Sequence, residues 1–434
     1  MTREIMPEFM HGEVEFDFAC DDLELARDKN GKPLCTPGNF QKVLKLDPEL
    51  RGKFAYDDFL QQAVYRGHLP WRPDGDNFGQ IADFDEDALM LYISNKHKFH
   101  SKPVMASMLN VEMHSNAFDS LVDRIEMLPD WDGKGRIETI LHDFLGAEIS
   151  DYNTEAMTLF MMGALTRAYH PGAAFDYMPV LIGGQGIGKS KFCEMLALNR
   201  SFYNGNFKTF EGAEAVENLR GKWILEVGEL LAMKRAKDVE GIKAFLTNSV
   251  DTYRTPYDKY THNQPRRCVF IASTNNRSFL SDRTGNRRYL PIVCKAKTWN
   301  DELLLTDKGK EYIEQTWSEA FHWFKEAGYE WDLVLPKRHH KVWKELLDDA
   351  TEEDSREGII EEYLSSNKWL KAVVCTQELW EEALCFDPSR ITNKDRRELG
   401  QIMDNMQGWK RDGQRRTSKY GKQRVWVKVE QKLE

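Results

Sequence analysis

Short apolar runs and polar turn segments alternate along the chain, and their spacing separates three regions. From Met1 to about Ser150 the pattern predicts brief helices, Asp85 to Tyr92 and Ser115 to Leu128 among them. Turn-rich stretches interrupt them, such as Pro70-Trp71-Arg72-Pro73-Asp74-Gly75-Asp76 and Asp130-Trp131-Asp132-Gly133-Lys134-Gly135. No catalytic pattern recurs there, so this mainly helical segment, 1–150, is expected to serve assembly or to guide a substrate. From about Tyr152 to Lys337, helical spacing alternates with short unbroken apolar runs, including Val180 to Ile182 and Cys268 to Ala272. Such runs suit strands covered on both faces, which predicts an α/β domain, 151–337, with a parallel sheet whose ligands sit at the strand C-termini. Pro179 lacks an amide hydrogen, so the first of these strands is expected to begin after it.

The last region, 338–434, begins with an acidic helical connector. Within it Thr376 precedes a predicted helix, Gln377 to Leu384, and a turn at Asp387-Pro388-Ser389 leads to a second, Lys394 to Met406, with Thr392 and Asn393 as capping candidates. Beyond Gly408, Trp409-Lys410-Arg411 and Arg424 to Val429 flank a polar loop, Asp412 to Gln423, as the arms of a hairpin. Helix, turn, helix and basic hairpin together predict a winged-helix-like domain, in which the second helix enters a major groove and the hairpin touches phosphates. Such folds also serve as protein contacts.

Charge sharpens this picture. The net charge of −10 argues against a polyanion partner for the chain as a whole, but Ser389 to Lys428 holds twelve Lys or Arg against four Asp or Glu, a local +8. Glu345 to Glu362, just upstream, holds nine acids and one arginine. That asymmetry points to a polyanion at the tail, with Arg411, Arg415, Arg416 and Lys419 as the leading contacts, although a solvated charged surface would have the same composition. A content of 41% hydrophobic and 30% charged residues excludes a disordered chain. No apolar run approaches the 18 or so residues of a membrane helix, and the start, Met1 to Pro7, lacks an export pattern, so a cytoplasmic protein without membrane contact is expected. Seven scattered cysteines without a C-x-x-C pair fit reduced thiols, and His97-x-x-His100 lacks a second half for zinc.

The strongest chemical signal is Leu181-Ile182-Gly183-Gly184-Gln185-Gly186-Ile187-Gly188-Lys189-Ser190, which matches G-x-x-x-x-G-K-[ST] between an apolar run and a helical one. Its glycines let successive backbone N–H groups face a polyphosphate, and the helix beginning near Lys189 adds its positive dipole end. Lys189 is expected on the β and γ phosphates of ATP and the Ser190 hydroxyl on Mg²⁺. A phosphate loop needs an acid on a neighbouring strand, and Ile224-Leu225-Glu226-Val227-Gly228-Glu229 supplies two. Glu229 is the first choice for orienting water or the metal shell and Glu226 the second. Asn275, at the exit of the Cys268 to Ala272 strand, is the candidate sensor of the γ-phosphate, and Arg287 and Arg288 are candidate fingers for the charge on a transferring phosphoryl group. The stretch Asp251 to His262 mixes aromatic and basic residues around a turn, which suits either a hairpin gripping single-stranded nucleic acid or an ordinary core edge.

Taken in order, Leu128 to Gly133, Phe144-Leu145-Gly146, Arg167 to Gly172, the phosphate loop, the Glu226/Glu229 strand, Ile242 to Leu246, Tyr253 to Tyr257 and Thr284 to Arg288 resemble the virulence-associated protein E family. That family is similar to superfamily 3 helicases, AAA+ ATPases of phages and mobile elements, and the likeness spans about Phe54 to Ile292. The resemblance implies an AAA+ core and a hexameric, ATP-driven helicase that threads DNA during replication. Its implied partners are single-stranded DNA, duplex DNA, further copies of itself and a replication initiator or primase. It also implies that Glu226 and Glu229 form the second ATPase motif, that Arg287 or Arg288 acts on a neighbouring subunit, and that Lys243, Arg254 and Lys259 lie where relatives carry conserved or pore-facing residues, while His262 is a DNA contact only on the hairpin reading of its own stretch. A primase domain, often fused upstream in relatives, is not expected here. An ATP-driven assembly switch, with the tail used for protein contact, is the alternative.

Overall fold

The computed structural model describes residues 23–72, 77–207, 209–228, 236–253, 262–280, 286–351, 355–365, 373–406 and 408–429. They belong to two compact units, Met1–Ala350 and Thr351–Glu434. No helix among the described residues is long and apolar enough to cross a membrane.

The first part of the larger unit is less helical than the spacing predicts. Strands β1 (Phe54–Asp57), β2 (Gln62–Arg66) and β3 (Phe78–Gln80) form an antiparallel sheet in that order. They share a core with the helices Pro37–Leu46, Asp83–His97 and Lys102–Ser115 through Phe40, Leu44, Phe54, Leu89, Ile93 and Met105. The expected helix from Ser115 to Leu128 is corrected. Ser115 ends one helix, and Asp119 caps the next, Ser120–Glu126, by accepting the Val122 N–H. An Asx-type cap competes with helix continuation, and apolar spacing alone does not reveal it. His97 belongs to a structural knot, its Nε2 lying 2.7 Å from Oδ2 of the buried Asp47, which Tyr92 and Lys96 also approach. Residues 121–145 contribute Leu121, Ile125, Ile140 and Phe144 to the next core rather than to this one.

That next core surrounds a five-stranded parallel sheet. Its strands are β4 (Met178–Ile182), β5 (Tyr203–Asn204), β6 (Ile224–Gly228), β9 (Val269–Thr274) and β10 (Tyr289–Val293), in the order β10-β4-β9-β6-β5. Between β6 and β9 lies a separate antiparallel pair, β7 (Val250–Tyr253) and β8 (His262–Pro265). Burial on both faces explains the unbroken apolar runs: every residue of β4 and of β9 is buried. One layer is the helix Asp151–Tyr169, buried almost all round, with the helix Asp307–Glu326 beside it. Trp223 and Trp317 meet in this layer with ring centroids 4.5 Å apart. Pro179 lies inside β4, contrary to expectation. The ladder to β9 begins only at Val180, so the missing amide hydrogen precedes it.

The smaller unit runs helix Ser355–Ser365, β11 (Val373–Cys375), the consecutive helical stretches Thr376–Glu378 and Leu379–Ala383, helix Asn393–Asn405, β12 (Trp409–Thr417) and β13 (Gly421–Lys428). Its sheet is antiparallel in the order β11-β13-β12. Thr392 and Asp395 form the capping box of the Asn393–Asn405 helix. The polar loop expected over Asp412 to Gln423 shrinks to a tight turn, because a register shift between Arg411 and Gln414 lets polar residues stay paired. Gly413, at φ +69°, supplies the backbone conformation for that irregularity.

Candidate phosphate-binding site

The C-terminal edge of the parallel sheet gathers the candidate residues. β4 runs into the glycine loop, and Gly186 and Gly188 hold φ values of +80° and +93°, closed to most side chains. The helix Lys189–Leu196 follows directly and directs its N-terminus at the loop. Lys189 is 8% exposed, and its Nζ donates to the carbonyls of Gly183 and Gly184 at 2.8 and 2.7 Å and to Asn275 Oδ1 at 3.0 Å. Burial pushes this ammonium below its ordinary range, with the Glu226 carboxylate opposing the shift.

β6 and β9 bring the acid. Glu226 is 1% exposed, and its carboxylate accepts the Ser190 hydroxyl at 2.8 Å, the Ser273 hydroxyl at 2.5 Å and the Tyr203 hydroxyl. Parallel register sets Glu226 level with Ile271 and Gly228 level with Ser273, so acid and hydroxyl emerge together at the strand ends. Burial drives the Tyr203 phenol well above its usual range, keeping it a donor to that carboxylate. Burial also pushes the Cys294 thiol up to about 12 and Cys193 well above its ordinary value, so neither competes as a charged group.

Lys189, Ser190, Glu226, Ser273 and Asn275 line a cavity of about 300 Å³ with Gln185, Ile187 and Trp299. Backbone N–H groups and an ammonium at one end suit phosphate oxygens, and a hydroxyl held on a carboxylate suits a hydrated divalent cation. Sequence reasoning named the loop, Glu226 and Asn275, but missed Tyr203, Ser273 and Trp299. Ser273 immediately precedes Thr274-Asn275, so the strand-exit argument could have reached it. Trp299 follows β10 and carried no signal.

Other candidates fall elsewhere. Glu229, Arg254 and Lys259 lie outside the described residues, and His262 opens β8 opposite Tyr253. The base of that strand pair is pinned by a buried bidentate contact, Arg266 to Asp251, at 2.6 and 2.8 Å. Lys243 is buried, which removes its ammonium from the exposed surface that a nucleic-acid strand would cross. Arg288 donates to Thr247 Oγ1 at 3.0 and 2.8 Å and pairs with Asp176 at 3.4 Å, whereas Arg287 is exposed. Both precede β10, whose Tyr289 is level with Met178. About 13 Å of strand therefore separates them from the loop at the opposite edge. Arg167, buried and unassigned by the residue pattern, donates to the carbonyls of Ala173, Phe175 and Cys268 and so fixes the turn entering β4.

In the smaller unit, three of the four expected polyanion contacts meet carboxylates. Arg411 binds Asp404, Arg415 binds Asp412, and Lys419 binds Glu381 and Glu382. Arg416 is exposed, directly opposite Lys422, with Arg424 two residues further along the same face.

A family model described as the virulence-associated protein E-like domain matches residues 125–352. No curated protein matches the sequence. Among solved structures, the A form apo structure of the NrS-1 C terminal region aligns at a TM-score of 0.48 and 14% identity, over 91% of this chain and 99% of that one. A second apo structure of the same region aligns at 0.48 and 13% identity, over 92% and 100%.

Proposed function

The chain belongs to the virulence-associated protein E-like family, and from that premise we propose that it is a magnesium-dependent ATP hydrolase that drives DNA through a ring of subunits during replication of a phage or mobile element. The observation that carries the reading is the Ser190–Glu226 hydrogen bond, which joins two ATPase motifs 36 residues apart at one cavity. The strand order supports it further. β4, the loop strand, lies between β9 and β10, and β6, the acid strand, lies beyond β9, an arrangement suited to an AAA+ core.

In this reading the loop N–H groups and Lys189 bind the β and γ phosphates. Ser190 and Glu226 would hold magnesium, whose charge would offset that of the phosphates. Asn275 already bonds Lys189 and stands where it can report a γ-phosphate to β9. Glu226, held by three hydroxyls, acts as a metal-shell group, which leaves the orienting of water to Glu229. Arg287 is the finger, and it acts on a neighbouring subunit because it stands at the sheet edge opposite its own loop. The smaller unit is a winged-helix domain, supported by its helix, strand, helix, helix, strand, strand order and its three-stranded sheet. Its hairpin meets DNA phosphates through Arg416, Lys422 and Arg424.

The test is ATP hydrolysis with and without single-stranded DNA, and displacement of a strand from a forked duplex, for the wild type and Lys189→Ala. DNA-stimulated hydrolysis and strand displacement by the wild type alone are expected. Hydrolysis indifferent to DNA, with no displacement at low salt, sinks the motor and leaves an ATP-driven assembly switch.

A further inference from the structure

One wall of the phosphate cavity has a chemistry that phosphate does not use. Trp299 lines it beside Gly188 and Lys189, on the segment between β10 and the short helix Asp301–Leu304. Its ring carbon Cε3 stands 3.5 Å from the point where a side chain on Gly188 would begin, so the indole lies against the last glycine of the loop. The backbone on either side is anchored. Cys294 N–H donates to Ile182 at 2.7 Å, Ala296 N–H donates to Leu145 at 3.1 Å, and the Asn300 amide donates to the Asp143 carbonyl at 3.0 Å. Trp299 is therefore positioned by the fold.

Its N–H sets it apart. The indoles of Trp223, Trp317 and Trp343 each donate to a backbone carbonyl, at 3.1, 2.9 and 2.7 Å. Trp299 Nε1 is buried and has no acceptor among the described residues. A buried indole N–H ordinarily finds a partner, and this one, shielded from any water-sized contact, leaves the rest of the side chain rather than the nitrogen as what Trp299 offers the cavity. Phosphate oxygens are already served by Lys189 and the loop amides. What remains is an aromatic wall, which matches the flat ring of a nucleobase.

We propose that Trp299 is the nucleoside-reading residue of this site, contacting the base with its ring, so that the cavity selects a nucleoside triphosphate over a bare polyphosphate. The proposal rests on the reading of the loop as a nucleotide site. It adds the specificity element that the loop lacks, since a glycine loop and a lysine grip any polyphosphate alike.

The experiment compares equilibrium binding of Mg-ATP and of magnesium tripolyphosphate, the same charges without a nucleoside, to the full chain and to Trp299→Ala, Trp299→Phe and Lys189→Ala. Trp299→Ala is expected to weaken ATP about tenfold or more, as losing a stacked base should, with tripolyphosphate unchanged. Trp299→Phe, which keeps a ring of smaller face, should fall between, and it carries the test if the alanine variant melts early. Lys189→Ala should weaken both ligands. Equal weakening of both by the Trp299 variants, or of neither, overturns the proposal and makes the indole a prop for Gly188. A wild type that binds neither ligand sinks the nucleotide-site reading and this proposal with it, whereas tripolyphosphate bound as tightly as ATP sinks this proposal alone.

Discussion

The loop edge of the parallel sheet and the basic hairpin of the smaller unit are both rich in groups that suit phosphate, and they are built in opposite ways. At the loop, Lys189 and Glu226 are buried and every contact is fixed by backbone or by a neighbouring side chain. At the hairpin, Arg416, Lys422 and Arg424 stand exposed on one face, and directly opposed like charges there cost the strand pair about 0.2–1 kcal/mol. A buried network of that kind gives geometry, hence rate. Exposed cations give a field, hence affinity that salt can screen. The difference teaches that phosphate chemistry in this chain is to be judged by burial rather than by counting lysines and arginines.

Arg287 breaks that rule if the proposed ring is right, and it carries the largest expected effect. Although exposed, it should govern rate. Arg287→Ala is expected to lose about 10³-fold or more in ATP hydrolysis, the scale of an arginine finger, with ATP binding retained. Mixing Arg287→Ala subunits with Lys189→Ala subunits should restore part of the activity, because each supplies what the other lacks. Arg288→Ala should instead lower the melting temperature, since its guanidinium is tied to Thr247 and Asp176. Full activity in Arg287→Ala would remove the finger from this position.

Glu226→Gln sharpens the buried side of the comparison. The substitution keeps shape but removes charge beneath Ser190, and hydrolysis should fall about 10²- to 10³-fold, the scale for removing one preorganised electrostatic group. The loss should be the same at low and high salt, because the group is screened from solvent. Steady-state rates across a salt series check this. A loss that salt erases would mean the carboxylate is not acting at the loop.

The two regions were also unequally legible in the sequence. The phosphate loop is local: spacing, glycines and a flanking apolar run sit within ten residues, so its position and its helix were readable. The Glu226 strand and Asn275 were readable as strand exits, but not that β9 would stand between β4 and β6 and so set Asn275 against Lys189, because strand order is a property of non-local pairing. Tyr203 and Trp299 reach the site from strands and loops with no pattern of their own. The N-terminal sheet escaped notice since its strands are three to five residues long, too short for alternation to declare itself. In the tail, composition showed the positive charge but not its arrangement. Pairing with Asp404, Asp412 and Glu382 uses up Arg411, Arg415 and Lys419, and only the register of β12 on β13 picks out the face that is left.

That face yields the next prediction. Replacing Arg416, Lys422 and Arg424 together by alanine should reduce the slope of log affinity for duplex DNA against log salt by about 2.7, which is three phosphate contacts at roughly 0.9 each. Replacing Arg411, Arg415 and Lys419 should change the slope far less, as their charges are matched within the fold. Binding isotherms at several salt concentrations distinguish the two sets. Equal slopes for both triple variants would return the tail to a diffuse charged surface, and an unchanged slope in the first would assign it to protein contact.

The smallest expected effect concerns why Lys419 is unavailable. Glu382 accepts hydrogen bonds from Tyr420 at 2.7 Å and from Lys419 and Tyr363 at 2.9 Å, and these donors hold its carboxyl well below the ordinary 4.5, at about 2. A carboxylate depressed by folding stabilises the fold fully above its unfolded value, and that contribution drains away as pH falls from about 4.5 through 2. Because the group is about a third exposed, solvent screening reduces the contribution to about 1 kcal/mol. Amide hydrogen exchange in β12 and β13 of the full chain should therefore quicken several-fold between pH 5 and pH 3 beyond its intrinsic pH dependence, and Glu382→Gln should flatten that response while freeing Lys419. If Glu382→Gln also steepened the salt dependence of DNA binding, the released cation would have joined the exposed face, which is how a fold that spends its lysines internally would reveal the spending. An exchange profile identical in both proteins would show instead that Tyr420 and Lys419 hold the hairpin without the charge.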